Sequence, residues 1–154
     1  MSQRLSTALK AEGGILAELA RSSPGSAAAA SGPAQKAASG PRTTHRRAEY
    51  ELLLEMILEG SRLHYGAPKV VRTDDPDLAL LVGDQLYALG LARLAALGDL
   101  EAVRILAETI ASLAQTHAEG RPDRGEQIWA EAAFRIGWDP QAGRGADPAN
   151  PSAS

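Results

Sequence analysis

Apolar residues recur at helical spacing in four segments between residues 46 and 138. The first segment has one apolar face, a pattern typical of an amphipathic helix: Tyr50, Leu53, Leu54, Ile57 and Leu58. Its polar residues are predicted to face water: Glu51, Glu55 and Glu59. Helix breakers end this helix around residues 61–65 and leave residues 67–72 as a loop: Gly60, Gly66 and Pro68.

The second segment carries the clearest helix start in the chain. Asp75 is placed to cap, Pro76 suits the first helical position, and Asp77 is favoured by the helix dipole. Residues 78–97 are then apolar on nearly every face, which predicts the central, buried helix of the protein. The three carboxylates of Asp74, Asp75 and Asp77 also resemble a divalent-metal cluster, but Pro76 favours the capping interpretation.

Two further helices complete the pattern. Gly98 ends the second segment and Asp99 can cap the third, whose apolar face is Val103, Leu106, Ala107, Ile110, Leu113, Ala114 and His117. The last helix has a stripe formed by Ile128, Trp129, Ala132, Ala133 and Ile136. These four helices predict an all-α fold, a small and roughly antiparallel bundle.

Composition divides the chain into four regions. Residues 1–20 suggest one short amphipathic helix, a docking peptide or a poorly ordered leader, weakened at Gly13 and Gly14. Residues 21–45 are rich in Ala, Ser, Gly and Pro, which predicts a flexible linker. Residues 46–138 form the helical bundle domain, and residues 139–154 are expected to be a disordered tail.

Charge and composition exclude several classes of function. A net charge of -3 gives no basic field for a phosphate backbone, and 4% aromatic residues make a base-stacking platform improbable. The absence of cysteine excludes disulfides and thiolate metal sites. The amino terminus lacks a signal-like apolar stretch, and Asp84, Gln85 and Arg93 interrupt the most apolar segment. We therefore expect a cytoplasmic protein without a membrane span.

Six residues are candidates for polar or interface roles. Asp84 lies in a helix predicted to be buried, so its carboxylate needs a partner, and Gln85 and Tyr87 are near enough in sequence to supply polar contacts. Gly83 suggests close approach by another helix. His64 and Tyr65, at the end of the first bundle helix, form the best polar pair. No complete catalytic site, metal site or cofactor site is predicted, and a structural role for Asp84 is favoured.

One segment resembles a known family. Residues 78–91 read LALLVGDQLYALGL and resemble the helix of trans-type polyprenyl diphosphate synthases that carries an Ala-x-Leu-x-Gly-Asp-x-Leu pattern. The likeness extends from Tyr50 to Gln115, somewhat under half the chain. In that family, an Asp-Asp-x-x-Asp cluster after the preceding helix binds the magnesium ions that hold the allylic diphosphate.

The chain departs from the family at the residues that hold metal. Where the first aspartate-rich cluster would stand, residues 63–67 read LHYGA, and Asp74 and Asp75 lie too far along to replace it. Residues 127–130 occupy the place of the family's Lys-Thr pair, and no second aspartate-rich motif follows. The resemblance therefore implies a non-catalytic relative, similar to the small subunits that pair with a catalytic prenyl synthase and shape its product length.

Two other interpretations remain open. The second hypothesis, after the non-catalytic subunit, is a generic helical scaffold or adaptor that associates with itself and uses the amino-terminal helix as a docking element. A third hypothesis is an enzyme that uses Asp84, His64 and Tyr65 around a small pocket. The subunit and scaffold hypotheses both predict protein association without a cofactor. So small a bundle can hardly cover an apolar helix from within, which also favours association with another chain.

Overall fold

Helices account for the regular structure of this protein. The structure, a computed structural model, describes residues 2–21 and 32–143. Within these residues there are seven α-helices and no strand: α1 (Ser2–Glu12), α2 (Gly14–Arg21), α3 (Pro33–Ala38), α4 (Arg47–Tyr65), α5 (Pro76–Ala96), α6 (Leu100–Ala118) and α7 (Gly125–Gly137). Short 3-10 turns precede α4 and α7, at Thr44–Arg46 and Pro122–Arg124. The predicted all-α fold is confirmed.

Aspartate caps begin two of the four long helices. One Asp75 carboxylate oxygen accepts hydrogen bonds from the backbone N–H groups of Asp77 and Leu78, at 3.0 and 3.2 Å. Asp99 accepts one from Ala102 at 3.0 Å. Asp75 therefore serves as the predicted cap.

Helices α4 to α7 run alternately up and down. Gly60 of α4 lies against Gly83 of α5 and Leu53 against Gly90, so these two helices are antiparallel. Helix α6 is parallel to α4, because the first turns of both meet at Asp99 and the last turns meet at His117. Arg135 pairs with Glu108 while Gly125 lies beside Leu113, which makes α7 antiparallel to α6. The predicted antiparallel bundle has this arrangement.

The central helix is α4, and the prediction that α5 is central was wrong. Ten residues of α4 are buried: Tyr50, Leu53, Leu54, Met56, Ile57, Leu58, Glu59, Gly60, Ser61 and Leu63. Helix α5 buries one side only, and Leu80 and Leu81 on its other sides are 45% and 62% exposed. The polar residues of α4 had suggested that one side of this helix faces water. Glu59, which was predicted on that side, is fully buried instead. Its carboxylate is satisfied inside the protein.

The segment predicted as a flexible linker contains a packed helix. In α3, Ala34, Ala37 and Ala38 are buried, and the helix contacts both α4 and α7. Thr43 then donates a hydrogen bond from Oγ1 to the Ala37 carbonyl at 2.6 Å, and the Arg42 N–H donates to the Gly137 carbonyl at 3.1 Å. The linker prediction is wrong over residues 32–45, because small side chains here permit close packing; residues 22–31 lie outside the described part of the chain.

The two ends of the chain differ from each other. Residues predicted as one amino-terminal helix form α1 and α2, which are separated at Gly13, where φ is 77°. Leu5, Leu9 and Leu16 join the hydrophobic core, and Glu12 forms an ion pair with Arg93 of α5. At the other end, residues 139–143 include a turn, and the rest of the predicted tail, residues 144–154, lies outside the described residues.

Candidate functional site

Four aromatic rings line up at the end of the bundle where α4 and α6 finish. The His64 ring lies parallel to the Tyr87 ring, with centroids 5.3 Å apart and an interplanar angle of 4°. Tyr65 is next to His64 at 5.6 Å and stacks on His117 of α6 at 4.1 Å. The row Tyr87, His64, Tyr65, His117 therefore joins α5, α4 and α6. His117 was predicted only as a member of an apolar face.

His64 and Asp84 come together at this end. The His64 Nε2 atom is 2.9 Å from the Asp84 Oδ1 atom, but the two do not align as a hydrogen bond. The pair is ionic only when the imidazole is protonated. The His64 side chain is 15% exposed and that of Asp84 is 70% exposed, so the expectation that Asp84 lies in a buried environment was wrong. An exposed carboxylate is hydrated by solvent, so the need for a partner that was inferred from burial does not arise, although His64 lies beside it.

Glycine at position 83 makes this contact possible. A Cβ atom built on Gly83 would lie 2.7 Å from His64 Cδ2 and 3.0 Å from the Gly60 carbonyl oxygen. The His64 ring consequently rests on the α5 backbone, and the α4 and α5 backbones approach closely. The predicted role of Gly83 in close helix approach is confirmed.

Tyr87 is the most enclosed residue of the aromatic row, at 9% exposure. Burial raises the pKa of its phenol to about 12; the nearby Ser61 side chain lowers that pKa, and Tyr65 and Asp84 raise it further. Ser61 meets the hydroxyl only in loose geometry, because the Tyr87 oxygen has no well-formed hydrogen bond among the described residues. Gln85, the remaining candidate, is exposed on the outer side of α5.

A cleft of about 590 Å³ opens beside Tyr65, between α4, α6 and the start of α7, and Arg62, His117 and Trp129 are among its lining residues. Its volume falls in the range of small-molecule pockets. Arg62, however, is engaged by the carboxylates of Glu55 and Glu59 at 3.4 and 3.2 Å. The cleft therefore contains no free cation at Arg62 that would attract an anionic group.

The His64–Asp84 pair does not line this cleft. A general acid or base must reach the proton that it transfers, and the cleft is lined by Tyr65, whose ring centroid is 5.6 Å from that of His64, and not by the imidazole itself. No group of three or more His, Asp or Glu residues in the described part of the chain is arranged to hold a metal ion. The enzyme hypothesis thus gains a pair of residues in contact, but this pair lies outside the cleft that Tyr65 lines.

Glu59, which the sequence pattern placed on the side of the helix that faces water, is fully buried and holds the loop after α4. Its carboxylate accepts hydrogen bonds from three consecutive backbone N–H groups in the loop after α4: Lys69 at 2.8 Å, Val70 at 2.7 Å and Val71 at 3.0 Å. Together with Arg62 these groups satisfy a fully buried charge. The sequence did carry an indication of this burial. Met56, Ile57, Leu58 and Gly60, which surround Glu59, form a nonpolar stretch that is unusual for a helix side in contact with water.

No other segment of the described residues packs on the side of α5 that points away from α4, and this side is largely apolar. We define this outer face by its exposed residues: Leu80, Leu81, Asp84, Gln85, Ala88, Ala92, Ala95 and Ala96. Asp77, one turn before Leu81 on the same side of the helix, is exposed as well, so the face carries two carboxylates, those of Asp77 and Asp84. By length and composition α5 is also the one helix among the described residues that could cross a bilayer, so the absence of a membrane span stays a prediction.

The chain has no recognised relative in three comparisons. Family models, curated protein sequences and solved structures all give no match. The resemblance to polyprenyl diphosphate synthases therefore stays a prediction from residues 78–91. Functional assignment depends on the chain's own residues and contacts.

Proposed function

We propose that this protein is a non-catalytic helical subunit that binds another protein chain through the outer face of α5. The observation that supports this function is the exposure of two leucines, Leu80 at 45% and Leu81 at 62%, on the face of α5 that no helix of residues 2–21 and 32–143 covers. Contiguous apolar surface of this kind marks interaction sites in soluble proteins.

Covering the outer face removes apolar surface from water and contributes a favourable term to association. Complete burial of a leucine side chain stabilises by about 1.5–3 kcal/mol, so covering half-exposed Leu80 and Leu81 contributes roughly 2 kcal/mol in total. Alanines along the rest of the face add little area but let a partner backbone come near. Asp84 gives a partner one polar group by which to fix its orientation.

The family resemblance names a specific partner. Residues 78–91, which carry the polyprenyl synthase pattern, lie within α5 and include more than half of its outer face. In this more specific form of the proposal, the partner is the catalytic chain of a polyprenyl diphosphate synthase, and this protein shapes the length of the product without binding magnesium or diphosphate itself.

Co-purification with a full-length prenyl synthase from the same source tests this partner. The proposal predicts co-elution in size exclusion with light scattering, together with altered activity or product length. Leu81→Lys should abolish co-elution, because it places a charge on the outer face. Leu100→Lys is the matched control, since Leu100 is 68% exposed at the start of α6 and lies outside that face.

The outcomes separate the two levels of the proposal. If the wild-type chain ignores the synthase and leaves its products unchanged, the prenyl synthase partner is wrong. If, in addition, Leu81→Lys changes no association of the protein with any chain, including itself, the outer face of α5 is not a docking surface.

A further inference from the structure

The outer face of α5 has two unlike halves. The large side chains, Leu80 and Leu81, stand near the start of the helix, and four exposed alanines occupy its second half: Ala88, Ala92, Ala95 and Ala96. A surface that is large at one end and small at the other fits a copy of itself only when the copy is reversed.

We propose that a second copy of this chain covers the face, with the two α5 helices antiparallel across a twofold axis near Ala88. This inference rests on the docking role of the outer face in the proposed function, and it makes a second copy, in place of the prenyl synthase, the chain that covers the face. In such a pair, Leu81 of one protomer packs against Ala92, Ala95 and Ala96 of its partner, and the reverse contact follows by symmetry.

Charge supports the reversed arrangement. In a parallel pair, each Asp84 would oppose the Asp84 of the other copy, and like charges directly opposite each other repel. With the axis near Ala88, the two Asp84 positions are separated by about 12 Å along the helix. That separation exceeds the screening length of about 8 Å at physiological ionic strength.

A hollow beside α5 adds a matching shape. It measures about 260 Å³ and is lined by Arg93 and Ala96 of α5, by Leu97 directly after that helix, and by residues of α4. Leu78 and Ala96 are about five helical turns apart and so lie on the same flank of α5. Because the same flanks meet in a twofold antiparallel pair, the Leu78 of the partner lies over this hollow.

Cysteine pairing tests both the partner and the direction, since the natural chain contains no cysteine. Leu81→Cys and Ala95→Cys are prepared separately, checked by circular dichroism, and oxidised alone or as a mixture. We expect at least tenfold more disulfide-linked dimer from the mixture than from either variant alone. Leu100→Cys mixed with Ala95→Cys is the control and should stay uncrosslinked.

Two results would overturn the inference. If Leu81→Cys alone crosslinks as readily as the mixture, the helices pair in parallel. If no mixture crosslinks and light scattering gives a monomer for the wild-type chain, a second copy does not cover the face. The proposed function then still stands if Leu81→Lys abolishes binding to the prenyl synthase while Leu100→Lys does not; it fails with the inference if neither variant changes any association.

Discussion

A single buried side chain, that of Glu59, fixes the loop between α4 and α5. Its carboxylate is fully buried in the central helix and anchors the loop between α4 and α5 through three backbone N–H groups. Uncompensated buried charges and orphaned N–H groups are costly. The loop therefore follows the path that this one carboxylate sets.

Glu59→Gln is expected to lower the free energy of unfolding by about 2–4 kcal/mol, since it removes the charge that pairs with Arg62 and replaces an acceptor oxygen with a donor. Urea denaturation followed by circular dichroism measures this loss. Glu55→Gln is the matched control: Glu55 is one helical turn away and contacts the same guanidinium at 3.4 Å, but its side chain is 16% exposed. A loss in the control as large as that in Glu59→Gln would contradict the anchoring role.

Two tyrosines give a test at high pH. Burial raises the pKa of Tyr50 to about 12, and the hydrogen bond to Asp99 and the charge of that carboxylate raise it further. The positive charges of Arg42 and Arg46 lower this pKa in part. Burial likewise raises the pKa of Tyr87 to about 12. An unfolded tyrosine ionises near pH 10, so the unfolded state releases its protons first as pH rises. Stability from both residues is fully present below pH 10 and is lost between about pH 10 and 12.

Absorbance of phenolate at 295 nm monitors this titration directly. The folded protein should show ionisation with a midpoint about two pH units above the ordinary tyrosine value of about 10. Tyr50→Phe and Tyr87→Phe should each remove part of the absorbance increase that occurs near pH 12. If both variants retain the full increase, the burial of these two phenols is not the cause of the delayed ionisation.

At the scale of elements, glycines set the distance between α4 and α5. Gly60, Gly83 and Gly90 all lie where a Cβ atom would meet the facing helix at 2.7 to 2.9 Å. The pairing of these two helices thus depends on residues without side chains.

Gly83→Ala is expected to destabilise the protein by about 1–3 kcal/mol, despite the better helix propensity of alanine, because the added methyl overlaps the His64 ring and the Gly60 carbonyl. Thermal or urea unfolding measures the change. Gly125→Ala is the control, since its nearest contact is Leu113 at an ordinary 3.7 Å, and it should stay within about 1 kcal/mol of the wild type. In His64→Ala/Gly83→Ala the added cost of the glycine change should be smaller, and an undiminished cost would contradict the overlap with the ring.

The helices themselves follow from local signals in the sequence. Asp75, Pro76, Gly98 and Asp99 mark helix boundaries by capping and by chain geometry, which depend on nearby residues alone. Helix α3 was not predicted, because a sequence rich in alanine and glycine is typical both of a flexible linker and of a close helix contact. Only distant partners such as Gly137 distinguish the two cases.

At the scale of the whole molecule, apolar content alone did not identify the centre. Helix α5 is the more apolar of the pair but lies at the surface, whereas α4 is enclosed even though it carries Glu59 and Ser61. The contact of His64 with Asp84 was equally beyond the sequence, because it depends on how two helices align at Gly83. A polar residue in the centre requires internal partners, and an apolar helix at the surface calls for an external one.

The most direct test of the account is sedimentation velocity of the wild-type chain over a wide concentration range, beside Leu81→Lys and Leu100→Lys. Pairing of two copies through the outer face of α5 predicts reversible association of the wild type and of Leu100→Lys, and a monomer for Leu81→Lys at the same concentrations. Identical behaviour of all three proteins would contradict it.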